Sequence, residues 1–228
     1  MGELLSLLPG CLVIGVILAA FFIFYRRRQN QQSAAFGQAA TQAGLTPVTD
    51  ETALRAFEAQ LARFAFGQRG GKTIIRSAVE GAGGVVLHVL QTRAAPGSDS
   101  DEYFAYLTGI IGPAVNVNLA LRVQTTLFDN SLNQALYGSH EALNLTSWPA
   151  LGRMFRGLGT PTELAESLLA GGLGQYMASE AEAGRIRNVE LVSGRLLVYE
   201  LPIGSPAQAQ LAALQHSGRQ IASLISKS

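Results

Sequence analysis

The chain has 228 residues, and its 17 Lys and Arg against 16 Asp and Glu give a formal net charge of +1. That balance leaves no basic footprint for nucleic acid, which is excluded as a partner class. Cys11 is the single cysteine, so neither an intrachain disulfide framework nor a cysteine-rich zinc site can form, and a hydrophobic core must hold any folded body together.

Residues 4–25, LLSLLPGCLVIGVILAAFFIFY, carry no charged side chain, and Arg26, Arg27 and Arg28 follow directly. At about 1.5 Å of rise per helical residue the run reaches roughly 33 Å, enough to cross a hydrocarbon core of about 30 Å. Residues 1–28 are therefore predicted to be a transmembrane anchor with a basic flank, bound to the lipid bilayer through 4–25. Arginines at one end of a span hold that end on the cytoplasmic side, so the rest of the chain is expected in the cytoplasm. Leu8-Pro9-Gly10-Cys11 has the look of a lipobox, but most of the apolar residues follow Cys11 instead of preceding it. A small apolar side chain inside a helix is the simpler reading of Cys11. Cys11, Gly15 and Ala19 recur at four-residue spacing and would line one stripe through which another span could approach closely.

Residues 29–46 are rich in Gln and Ala and read as a polar tether that buries little. Residues 47–228 are read as one soluble domain. Asp50 is a candidate N-cap, and Leu54, Phe57, Leu61 and Phe64 share one face of a helix expected to end at Gly67. Strands are predicted over 73–79, 85–93 and 115–128, the first two joined by Gly-Ala-Gly-Gly at 81–84. In the third, Val115, Val117, Leu119, Leu121 and Val123 alternate with Asn116, Asn118, Ala120, Arg122 and Gln124, predicting one buried and one polar face. The acidic stretch 95–102 reads as a surface loop. Thr160-Pro161-Thr162-Glu163 resembles a capping box, predicting a helix through Leu168 and Leu169 that Gly171 and Gly172 interrupt, with a second short helix over 174–183. Residues 187–192 and 195–201 flank Ser193-Gly194 as a β-hairpin, with Val189, Leu191, Leu197, Tyr199 and Leu201 expected in the core. Leu211, Leu214, Ile221, Leu224 and Ile225 give a final helix its apolar face. The order of elements predicts an α+β fold: an N-terminal transmembrane helix, then a mostly antiparallel sheet packed with helices.

No motif in the chain carries chemistry. Gly67 to Thr73, GQRGGKT, ends like a P-loop, but its spacing is one residue short and it runs from a helix into a strand, so no helix N-terminus meets a phosphate. His88, His140 and His216 stand apart without a second ligand at metal spacing. Asp99, Asp101 and Glu102 lack the glycine and distal glutamate of a calcium loop. Asn144-Leu145-Thr146 is a glycosylation sequon, irrelevant to a cytoplasmic bacterial domain. Around Trp148, Met154 and Phe155, with Arg153 and Arg156, a short amphipathic segment suits a helix packed on the sheet, and alternatively a membrane surface or a partner groove. No catalytic, cofactor-binding or metal-binding residue is assigned, and no cofactor is expected.

With 15 Arg and two Lys and much Ala, Gly and Leu, the composition points to a GC-rich bacterial genome. The layout, with VVLHVLQTR (85–93), LRVQTTLF (121–128) and GRLLVYEL (194–201), resembles uncharacterised bacterial single-pass membrane proteins that carry a small cytoplasmic α+β domain. That resemblance implies no activity. The expectation is a binding or assembly module anchored in the bacterial inner membrane, an accessory subunit of an envelope complex that meets a protein partner or a second copy of itself. The alternative is a membrane-tethered enzyme without a recognisable motif.

Overall fold

A computed structural model describes residues 34–68, 72–92, 100–124, 141–201 and 208–228, with isolated positions (19, 20, 22–24, 27 and 31) before them. Most of the predicted span, 4–18, lies outside the described residues. Among the described residues no helix is long and apolar enough to cross a membrane.

One antiparallel sheet of nine strands organises the body. Its strands are β1 (Thr46–Pro47), β2 (Thr73–Gly81), β3 (Gly84–Thr92), β4 (Ser100–Gly109), β5 (Asn118–Val123), β6 (Glu141–Ala142), β7 (Phe155–Thr160), β8 (Asn188–Val192) and β9 (Arg195–Glu200). They lie side by side in the order β1-β2-β3-β4-β9-β8-β5-β7-β6. The helices are α1 (34–42), α2 (Glu51–Leu61), α3 (Pro149–Met154), α4 (Thr162–Leu168), α5 (Gly174–Glu182) and α6 (Gln208–Lys227). The α+β class and the antiparallel pairing are as predicted.

Both faces of the sheet are buried, and each has its own core. The larger core joins Val79, Val86, Phe104, Tyr106, Leu119, Leu121, Val189, Leu191, Leu196 and Val198 to α1 and α3 to α6. The smaller one sets Leu61, Phe64 and Phe66 over Leu87, Val89, Tyr103, Ala105, Leu107, Leu197 and Tyr199. Adjacent residues of one strand divide between the cores because side chains alternate across a pleated strand. The hairpin shows the division most clearly: Leu191 faces Leu196 and Val189 faces Val198, while Glu190 faces Leu197 and Asn188 faces Tyr199. Val189 and Leu191 thus belong to one core and Leu197 and Tyr199 to the other. Ser193 and Gly194 turn the chain with φ of 47° and 70°, the paired positive values of a two-residue hairpin loop. Leu201, expected inside, is 60% exposed beyond the strand end.

The helix capped by Asp50 forms as read, its carboxylate accepting from the Thr52 N–H at 3.0 Å. It stops at Leu61, and Ala65–Gln68 follows as a 3-10 turn. Thr160 does not cap α4. It ends β7, Pro161 takes the cap position after a cis bond, and no side chain caps the helix. The interruption at the glycine pair is present as a π turn, Leu169–Leu173, where Gly172 has φ 108°.

Four expectations are corrected. The acidic stretch is not all loop, because Asp101 and Glu102 belong to β4, whose Tyr103 to Leu107 are all buried. Phe155–Thr160 is a strand, with Gly159 in it so close to Ala165 that an added Cβ would meet that residue's Cβ at 2.4 Å. The strand around Leu119 is short, following a 3-10 turn at Pro113–Asn116, and it has no polar face at its centre, since Ala120 is as buried as Leu119 and Leu121. The fourth correction concerns 29–46, where Phe36 is the first buried residue among those described: this ring is fully buried, and Ala39, Ala40 and Leu45 after it are buried too. A buried Phe contributes about 1.5–3 kcal/mol of transfer free energy, and Phe36 is the only large side chain that α1 supplies to the core.

Candidate functional site

The polar residues that matter lie on the central hairpin and the helices over it. On the side of the larger core, the ends of β8 and β9 bring Arg187 and Glu200 together, with α5 supplying Glu180 and Tyr176 and α6 supplying Ser217 and Gln210. The Arg187 guanidinium donates from Nε to Glu200 Oε2 at 2.7 Å, and from Nη1 to Glu180 Oε2 and Ser217 Oγ, both at 2.9 Å. Arg185 grips the same glutamate, donating from Nη2 to Oε1 at 2.6 Å and from Nε at 3.0 Å. Tyr176 donates to Ser217 at 3.0 Å, and Gln210 donates to the other oxygen of Glu200 at 3.0 Å.

Arg187, Glu180, Glu200 and Ser217 are all buried. A buried arginine between two carboxylates is tolerable only when its donors and their acceptors are matched, and here the fork geometry of the guanidinium does the matching. Hydrogen bonding from Arg185 holds the Glu180 carboxyl below its ordinary pKa despite burial, while burial first of all pushes the Tyr176 phenol up. Glu180 is thus an anion already engaged by two guanidiniums, a poor proton acceptor. The arrangement clamps α5 and α6 to the hairpin.

On the opposite face, Glu190 is 1% exposed. Its Oε1 accepts from the Tyr199 hydroxyl at 2.9 Å and its Oε2 from the Phe66 N–H at 3.2 Å. The Phe66 carbonyl in turn accepts from the Gln91 side-chain amide. Burial, and then the Glu190 charge, push the Tyr199 phenol well above its ordinary pKa, so it stays a neutral donor. These bonds pin the 3-10 turn to the sheet through both polar atoms of the Phe66 residue.

The third feature is a groove of about 540 Å³ beside β7, lined by Gln124, Leu143, Leu145, Thr146, Arg153 and Arg156 among others. Both arginines are exposed. Gln124 is committed to the groove wall, its backbone N–H donating to the Met154 carbonyl and its side chain to that of Phe155, both at 2.9 Å. Of the amphipathic segment predicted here only Pro149–Met154 is helical, as α3 with Trp148 half-buried at its start, while Phe155 and Arg156 belong to β7. An added Cβ at Gly174 would meet the Trp148 ring at 2.5 Å, so α5 packs on that ring with no room for a side chain.

The residues weighed from sequence are not brought together. His88 lies buried in β3 and His216 exposed on α6, while His140 and Asp99 lie outside the described residues. Among the described residues no group of His, Cys, Asp and Glu is placed to hold a metal ion. The last described residue of the GQRGGKT stretch, Thr73, opens β2, so the P-loop reading lacks its helix. Asn144 is exposed, its side-chain Oδ1 accepting from the Thr146 N–H and hydroxyl at 3.0 and 2.7 Å. The clusters around Arg187 and Glu190 were missed. Their one signal was a charged residue within otherwise apolar strands, as in VEL at 189–191 and VYE at 198–200. Compared with known proteins, the chain matches no family model, no curated protein and no solved structure.

Proposed function

We propose that the protein is a membrane-anchored binding or assembly module, an accessory subunit of a bacterial envelope complex, held in the inner membrane by residues 4–25 with its body in the cytoplasm. The anchor rests on the charge-free run and the arginines after it. The observation that carries the binding role is how the buried charges of the body are spent: Glu180, Arg187 and Glu200 engage one another, and Glu190 engages Tyr199 and a backbone N–H. These groups tie helices and turns to the sheet, which is the work of a rigid platform. The test is purification of the full chain in detergent after crosslinking in cells. A stoichiometric protein partner, or a defined oligomer, is expected, and recovery of an isolated monomer overturns the reading. A C-terminal reporter that fluoresces only in the cytoplasm should light up, and labelling of that terminus from outside intact cells overturns the orientation.

A further inference from the structure

His88 is a titratable residue buried without the hydrogen bonds that Arg187, Glu180, Glu200 and Glu190 make. It is 3% exposed, and neither ring nitrogen has a hydrogen-bond partner among the described residues. Its ring is stacked on Phe36 of α1, with centroids 5.6 Å apart, and meets the edge of Phe104 at 5.4 Å. Phe36 in turn touches Phe104 at 5.7 Å, so three rings close on one another. The lid of this box is therefore α1, and its contact with the sheet runs through a single large side chain.

We propose that α1 is an acid-released strap: protonation of His88 drives Phe36 out of its box and frees residues 34–42 from the sheet while the rest of the body stays folded. A neutral imidazole between phenyl rings forgoes only the hydrogen bonds of its two nitrogens, whereas an imidazolium in the same box is a charge that has lost its water and gained no acceptor at hydrogen-bond distance. The carboxylate facing it is Glu102 on β4, at 3.6 Å from Nε2, and it compensates part of the charge. The neighbouring charge on β2 is Arg76, which opposes protonation. Helix α1 carries no titratable side chain, and Arg219 of α6 lies beside Gly83, in the turn that precedes β3. Burial outweighs Glu102, and the His88 pKa lies below its ordinary value. Lifting α1 opens the box to water, so the proton and the docked strap compete for the same state of the histidine. The switch itself does not depend on the proposed anchor. If that anchor holds, release lengthens the link between span and body by the nine residues of α1.

Amide hydrogen exchange of the full chain in detergent, corrected for intrinsic pH dependence and followed from about pH 7 to about pH 5, tests this. Protection over 34–42 is expected to fall by about tenfold per pH unit at most, below the ordinary histidine pKa, with β3 and β4 still protected. His88→Phe, which keeps a ring in the box, should abolish the fall. Glu102→Gln should leave the onset where it is but extend the fall to lower pH and deepen it, because the docked imidazolium loses the carboxylate facing it while the opened histidine keeps its ordinary pKa. Retained protection at about pH 5, simultaneous loss in β3 and β4, or an identical profile in either variant overturns the proposal. No partner or bilayer enters the measurement, so its failure leaves the proposed assembly role standing.

Discussion

Arg187 and His88 are both buried polar residues on the face covered by α1, α5 and α6, yet they do opposite things to the helices above them. Arg187 distributes its donors over Glu180, Glu200 and Ser217, so α5 cannot leave without parting a buried ion pair, nor α6 without breaking a buried hydrogen bond. His88 meets α1 through ring contacts alone, and water would serve its nitrogens better than the box does. The contrast shows what decides the sign of a buried polar group: the matching of donors and acceptors sets it, and depth of burial only scales it.

The largest way to break the comparison is Arg187→Met. Two buried carboxylates then lose their shared cation, and unfolding in denaturant should register a loss of about 3–5 kcal/mol. Replacing Glu180 and Glu200 with Gln as well should recover part of it, since the stranded charges are gone. A loss no greater than that of an exposed arginine would mean that water already reaches the cluster.

Removing residues 1–44 is the next largest. The reading of 29–46 as a tether predicts no penalty, whereas the buried Phe36 predicts a body still folded but weaker by about 1.5–3 kcal/mol. Cooperative unfolding of this truncation beside one that begins at residue 31 measures the difference directly.

The smallest effect sharpens the contrast through pH. His88 has a lowered folded pKa, so its neutral form is favoured in the native state, and stability is intact above its ordinary 6.5 and declines as pH falls through that value. Glu180 is also lowered, from 4.5, and its contribution is present above that value and lost as pH falls further. Acid should therefore weaken the body in two stages, and His88→Phe should erase the upper stage alone in a series of denaturation midpoints.

Local signals were legible wherever a single element buries a single face. Asp50 with Leu54, Phe57, Leu61 and Phe64 announced α2, and Ser193-Gly194 announced the hairpin. Burial on both faces erased the same signals: Tyr103 to Leu107 form an uninterrupted apolar run without alternation, directly after an acidic stretch that reads as loop. The start of β7 fell within the segment read as an amphipathic helix, and the strand carries a glycine, Gly159, that is there to admit Ala165. Phe36 was invisible because one aromatic in a polar stretch has no period. The cluster around Arg187 was invisible for a different reason, since its members meet only once α5, β8, β9 and α6 have been assembled.

The two-residue turn at Ser193-Gly194 acts as a gear tooth for the whole middle of the sheet. Because side chains alternate, its length decides that Glu190 falls on the side of Phe66 and Arg187 on the side of Ser217. One inserted residue, with β9 held in place by β4, would carry Glu190 under the helices and turn Val189 and Leu191 toward the other core. Both polar clusters would come apart at once, from a change at a surface position that touches neither. Substitutions that keep a left-handed turn should pass through descent at this point, whereas single-residue insertions and deletions should be purged.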